Sequence, residues 1–209
     1  MNALLQELSM FPPGEAIFDL DGTLIHGDIG ESVLRRLGAA GHRNAVTDGI
    51  DDLWAHYRNI ASYEGQCRFA AEALAGLSVG EIERFVDDAF AGGDVSPVAA
   101  TCELAHAISR RHRVWILTGS AELLGRAAAP RLGITHAVGL RISPQTGQAL
   151  TPITCGEGKV RATWTWFGKR PVFAIGDSPH DLPLLRLAHV ARTCGKNAGV
   201  EFPAFPEAG

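Results

Sequence analysis

Two aspartates one residue apart, Asp19 and Asp21, close the apolar run Ala16-Ile17-Phe18 and are followed at once by Gly22-Thr23. On an extended chain the two carboxylates project to the same side, roughly 7 Å apart along the backbone. Carboxylates that close repel unless a cation or a shared proton relieves them. Asp177 ends another apolar run, and carboxylates from two strand ends make a hard-oxygen site suited to Mg²⁺, which binds through one or two carboxylates plus a phosphate. Thr118 follows Val114-Trp115-Ile116-Leu117 and offers a hydroxyl, either to a ligand or as a helix cap. The amides of Gly119 and Ser120 then open a helix, a natural anion site. Lys159 supplies a positive charge that both holds a phosphate and steadies a carboxylate nucleophile.

These residues need strands that end together. The runs 16–18, 114–117, 137–140 and 171–175 are short, apolar and β-compatible, and each reads as a strand buried on both faces. Helical spacing predicts a helix from Pro97 to about Arg111, a second over 121–132 that ends at Gly133, a third from Lys159 to about Phe167, and a fourth from Leu182 to Leu187. Pro130 breaks the second a turn early. His189-Val190-Ala191 reads as an edge strand, and residues 141–153 as a hairpin excursion around Pro144-Gln145-Thr146-Gly147. Alternating strands and helices imply an α/β fold, a Rossmann-like parallel sheet covered by helices, whose carboxyl edge is where ligands bind.

Between the first strand and Ser96 the pattern changes. Residues 26–93 hold no convincing strand but four stretches of helical spacing. Ile29, Val33, Leu34 and Leu37 form one stripe; Leu53, Trp54, Tyr57 and Ile60 a second; Phe69, Ala73 and Leu74 a third. Ser78 with Glu81 is a capping box for the fourth, which ends at Gly92-Gly93. The expected organisation is a core of 14–25 and 94–209, an all-helical cap insertion of 26–93, and an extension of 1–13 carrying a weak helical turn around Leu4, Leu5 and Leu8. Gly27 and Gly30 at one end of the insertion, with Gly92 and Gly93 at the other, suit a hinge.

The formal net charge is −4 over 209 residues, with basic residues scattered, which argues against nucleic acid or an acidic membrane as partner. The run Arg110-Arg111-His112-Arg113 reads as a solvated helix end. Cys67, Cys102, Cys155 and Cys194 are far apart with no C-x-x-C pair, as for free thiols in a reducing compartment. No basic leader precedes an apolar core, and no run approaches the ~20 apolar residues of a membrane span. The expected location is the cytoplasm.

The segments Phe18-Asp19-Leu20-Asp21-Gly22-Thr23, Leu117-Thr118-Gly119-Ser120, Gly156-Glu157-Gly158-Lys159 and Ile175-Gly176-Asp177-Ser178-Pro179-His180-Asp181 together resemble the four motifs of the haloacid dehalogenase superfamily. The helical insertion after the first motif is similar to its phosphoserine phosphatase-like branch. The resemblance implies a phosphatase of small phosphomonoester metabolites. Asp19 would be the nucleophile that forms an aspartyl-phosphate, and Asp21 the acid that protonates the leaving alcohol and then the base that activates water. Thr118, Gly119 and Lys159 would hold the phosphoryl oxygens. Mg²⁺ would be bound by the Asp19 carboxylate, the Asp21 backbone carbonyl and the Asp177 carboxylate, with Asp181 orienting Lys159 or the metal waters. His26, Asp28, Ser178 and His180 are candidates to face the substrate. Position 28 is aspartate where the branch usually has glutamate, and His180 replaces a usual asparagine. Arg58 and Arg68 are the nearest candidates for the arginine that the branch carries in its cap.

Three other chemistries compete. A phospho-receiver module also clusters aspartates, but it is about half this length and has no insertion after its first strand. A phosphotransferase of the same fold would pass the phosphoryl group to an alcohol rather than to water. Carbon–halogen hydrolysis needs no acid at position 21.

Overall fold

The structure is a computed structural model that describes residues 1–195 and 201–205. Helix α1 (Asn2–Ser9) leads into strand β1 (Glu15–Phe18) and a short β2 (Ile25–His26). Helices α2 (Ile29–Ala39), α3 (Leu53–Asn59), α4 (Tyr63–Glu72) and α5 (Val79–Ala91) follow, and the chain returns through β3 (Ser96–Pro97). Then come α6 (Ala99–Ser109), β4 (Arg113–Ala121), α7 (Glu122–Ala128), β5 (His136–Leu140), α8 (Glu157–Phe167), β6 (Phe173–Gly176), α9 (Leu182–Leu187) and β7 (Val190–Thr193).

Five strands form one parallel sheet in the order β5-β4-β1-β6-β7. Side chains alternate across it. Ile17 packs with Leu117, Val138, Ala174 and the α9 residues Leu184 and Leu185, while Phe18, Ile116 and Ile175 enter a larger core on the other face. Both faces are therefore covered, as the unbroken apolar runs require. β1 is central, and from it the chain builds outward both ways, to β4 and β5 on one side and β6 and β7 on the other. That reversal opens a crevice beyond the carboxyl ends of β1, β4 and β6.

The insertion holds the four helices that its spacing predicts, and their starts are chemically encoded. Asp28, Asp52 and Ser62 cap α2, α3 and α4, and Ser78 and Glu81 form the reciprocal capping box of α5. Ile29, Val33, Leu34 and Leu37 are buried, as are Leu53 and Tyr57; Trp54 stacks on Tyr57 at 5.4 Å. Arg35 and Arg58 lie over the Trp54 ring, so Arg58 is part of the insertion's own packing, and Arg68 is exposed.

Four sequence-based expectations are corrected. Ser96-Pro97 does not begin a helix: it pairs antiparallel with β2, Ile25 opposite Pro97 and His26 opposite Ser96, and α6 starts at Ala99. Proline at such an edge costs no ladder hydrogen bond. β4 does not stop at Leu117 but runs to Ala121, with a register shift against β5 between Leu117 and Ala121. The amino-terminal turn is a full helix that buries Leu4 and Leu8, and Glu7 accepts a 2.6 Å hydrogen bond from Arg192 on β7. Of the hinge glycines, Gly27 and Gly93 have positive φ, whereas Gly30 lies inside α2 and Gly92 has φ −78°. A Cβ at Gly27 would stand 2.6 Å from the Asp94 carbonyl oxygen, so close approach as well as torsion requires glycine there. The 141–153 excursion closes through an Ile142–Ala149 bridge, and the helix before Gly133 tightens into a 3-10 turn from Ala129, next to Pro130.

Candidate active site

A cavity of about 230 Å³ opens at the carboxyl edge of the sheet, lined by Asp19, Asp21, Asp177 and Lys159 from the strand ends and α8, and by Asp28 and Tyr63 from the insertion. Its remaining walls include Gly119, Cys155, Ser178, His180 and Asp181.

β1 ends at Phe18, but Asp19 keeps the sheet's direction by donating its amide to the Ile175 carbonyl at 3.0 Å. The chain then folds back on itself: the amides of Leu24 and Ile25 both reach the Leu20 carbonyl. Gly22, at φ +76°, makes the turn, and any Cβ there would collide with the Asp177 carboxylate. The turn thus brings the first and fourth motifs into contact. Thr23 is fully buried and donates to Asp19 at 3.4 Å.

Lys159 lies in the first turn of α8 and is 2% exposed. Its ammonium donates to Asp19 and to Asp181, each at 2.5 Å. Asp181 also accepts from the amide and hydroxyl of Ser178, so every part of its carboxylate is held. Burial, the largest influence, would raise the Asp181 carboxyl, but Lys159 and the Ser178 hydrogen bonds together outweigh it and hold it below the usual range. Burial opposes the charge on Lys159 too, yet Asp181 and Asp19 together keep it firmly protonated.

Asp21 has a different environment. One carboxylate oxygen accepts from the Ile29 amide at 2.8 Å, and the other from Ser120 at 3.0 Å and Thr118 at 3.4 Å. Burial, then Asp28 and Asp19, push its carboxyl well above the ordinary range. The two aspartates of the first motif are therefore split: one faces a buried cation, the other neutral donors.

Oxygens of Asp19, Asp177 and Asp181 lie within 4.8 Å of one another. Burial first and the Asp181 charge next push Asp19 up to about 7 and Asp177 up to about 6. Crowded carboxylates that resist ionisation are the setting in which a divalent cation binds through oxygen, so the donor set fits Mg²⁺. Asp21 contributes no carboxylate to that group.

Several expected site residues are placed otherwise. His26 is exposed on β2 and does not line the cavity. Thr118 lies within β4 rather than before a helix, and its hydroxyl accepts from the Ser120 amide at 3.0 Å, which takes that amide away from any anion. Gly119 sits in the irregular stretch of β4 and does line the cavity. Asp28 lines it as well, while capping α2 through the Glu31 amide at 2.8 Å. Ser120 was read from sequence only for its amide, whereas its hydroxyl donates to Asp21. Tyr63 and Cys155 were not assigned to the site, and no local pattern marks either. All four cysteines are free.

A doubly covered parallel sheet with an aspartate pair at its central strand, a buried lysine bridging to the fourth motif and a helical insertion defines an α/β protein with a carboxylate-rich site at its sheet edge. The chain belongs to the haloacid dehalogenase-like hydrolase family, whose family model matches residues 16–186. A protein with unknown function from Bordetella pertussis Tohama I has a similar structure, with TM-score 0.70, 18% identity, and coverage of 88% of this chain and 91% of that one. A HAD family hydrolase from Salmonella enterica serovar Typhi matches with TM-score 0.63 and 18% identity over 95% of this chain and 72% of its own. A substrate-bound phosphoserine phosphatase complex matches with TM-score 0.58 and 14% identity over 94% of each chain. The fold is thus phosphoserine phosphatase-like. No curated protein sequence matches this chain.

Proposed function

We propose that this protein is a Mg²⁺-dependent phosphatase of a small phosphomonoester, acting through an aspartyl-phosphate on Asp19. The observation that carries the reading is the split between the two aspartates: Asp19 is paired with Lys159 while Asp21 sits among neutral donors. Asp19 attacks phosphorus in line and displaces the alcohol oxygen, and Asp21, protonated in its buried site, gives that oxygen its proton. Asp21 then takes a proton from the water that attacks the aspartyl-phosphate, which releases phosphate and restores Asp19. Lys159 supplies charge to the phosphoryl oxygens beside Gly119, and Thr118, buried behind the cavity with its hydroxyl on Asp21, turns that proton to a phosphoryl oxygen when substrate binds. Asp181 holds Lys159 in place. Mg²⁺, when bound through Asp19, Asp177 and the Asp21 carbonyl, neutralises the phosphate dianion as it meets a carboxylate.

In this reading 14–25 and 94–209 form the catalytic core and 26–93 the cap that shields it, with residues 196–200 and 206–209 lying outside the described part. The cavity suits a small metabolite of phosphoserine size. No helix among the described residues is long and apolar enough to cross a membrane. A panel of phosphorylated metabolites, assayed with Mg²⁺ for released phosphate, tests the proposal; adding alcohol acceptors separates hydrolysis from transfer. Chelation should abolish turnover and Mg²⁺ restore it, and Asp19→Asn should abolish it permanently. Near-normal turnover of Asp19→Asn, or full activity in excess chelator, would overturn the reading.

A further inference from the structure

The cavity's outer wall is an aromatic pair contributed by two distant parts of the chain. Tyr63 is the first residue of α4, in the insertion, and His180 stands in the turn after β6. Their rings stack at 4.2 Å between centroids and 11° between planes. Both residues line the cavity while presenting an outer side to solvent, Tyr63 being 36% exposed. The stack therefore stands at the mouth, where insertion and core meet.

The start of α4 packs directly on the second motif: a Cβ on Gly119 would stand in ordinary contact, 3.4 Å from the Tyr63 hydroxyl oxygen and 3.5 Å from the Cys67 sulfur. On the core side, the Gly156 amide donates to the His180 carbonyl at 2.9 Å, and Asp181 is fastened by Lys159 and Ser178. His180 thus rides on the same rigid turn that holds the buried lysine, so the mouth is positioned directly against the reacting groups.

We propose, on the basis of the phosphatase reading, that the Tyr63–His180 stack is a size gate that restricts this enzyme to phosphomonoesters of short, non-aromatic alcohols. With the stack closed, the cavity of about 230 Å³ lies below the roughly 300 Å³ at which ordinary small-molecule sites begin. Much of that space is taken once a phosphoryl group sits against Asp19 and Lys159. A flat leaving group has its natural path outward through the plane that the two rings occupy. Tyr63 and His180 are specificity-determining by occupying space, and neither exchanges a proton with the substrate.

The experiment compares kcat/KM, with Mg²⁺, for ethyl phosphate and for 4-methylumbelliferyl phosphate. In the parent the aliphatic ester is preferred. Tyr63→Ala should move the aryl-to-alkyl ratio at least tenfold toward the aryl ester, and His180→Ala should move it in the same direction from the core side. Tyr63→Phe and His180→Phe keep a stack and should hold the ratio within about threefold of the parent, a rescue that general loosening of the fold would not give. Where one alanine variant fails to fold, the other reports on the same gate. An unchanged ratio in the alanine variants of an active parent overturns the gate alone. A shift toward the alkyl ester, the mark of rings that stack on the substrate, also overturns it. Failure of the parent to release phosphate from any ester overturns the phosphatase reading and the gate with it.

Discussion

Replacing Lys159 by methionine keeps the unbranched apolar stem, one atom shorter, and removes the charge. The ammonium is buried and makes 2.5 Å contacts with two carboxylates, and oxygens of those carboxylates, with Asp177, lie within 4.8 Å of one another. Without Lys159 their charges face each other with little solvent between them. Removing one partner of a buried ion pair costs about 3–5 kcal/mol, because the charge left behind is neither solvated nor paired. For a chain of 209 residues, with about 2–4 °C lost per kcal/mol, the melting temperature should fall by roughly 6–20 °C. The measurement is denaturant and thermal unfolding in metal-free buffer, followed by the double variant Lys159→Met/Asp181→Asn. In the methionine background the second change removes a repulsion, so it should cost at least about 1 kcal/mol less than Asp181→Asn in the parent. Lys159→Met within about 1 kcal/mol of the parent, or strict additivity in the cycle, would show that the lysine does not bridge Asp19 and Asp181.

Two further outcomes are expected. In the folded protein without metal, burial first and neighbouring charge next raise Asp19 to about 7 and Asp177 to about 6. The folded state then retains protons that the unfolded chain, with carboxyls near about 4, has released, so stability should fall as pH rises from about 4 through 7. Mg²⁺ should raise the melting temperature more at pH 8 than at pH 5, and a stability profile that rises across this window would refute the buried-carboxylate geometry. Asp21→Asn should lower kcat by ~10²–10⁴-fold with little change in melting temperature, since the amide oxygen can still accept from the Ile29 amide while the Ser120 hydroxyl turns to accept from the new NH2 group. A loss below about threefold would remove Asp21 from the acid–base role.

The features legible in the residues alone were those written locally. Strand β1 could be read at Ala16–Phe18 because an apolar run buried on both faces needs no partner to be recognised, and the aspartates after it are conspicuous because no core uses them. The four helices of the insertion were equally plain, as was the Ser78–Glu81 capping box of α5, which is a hydrogen-bonded pair within a few residues. The pairing of β2 with β3 was not, because Ile25 and Pro97 are far apart in the chain and each segment is only two residues long. β4 continues through Thr118 and Gly119 because β5 offers a partner as far as Leu140, which a local reading of Thr-Gly-Ser as a turn cannot include.

The same division runs through the site. Asp19, Asp21, Lys159 and Asp177 were picked out by residue type and order, yet their partners follow from placement: Lys159 reaches Asp19 and Asp181 together, while Asp21 turns to Ser120, Thr118 and the Ile29 amide. His26 stood close to the motif in sequence but lies on an exposed strand. Tyr63 had no local mark, and it meets His180 because α4 packs against the end of β4 and the turn after β6. Short-range hydrogen bonding and hydrophobic periodicity identify elements and chemical groups; which groups share a dielectric, a cation or a wall depends on long-range packing that brings separate strand ends to one edge.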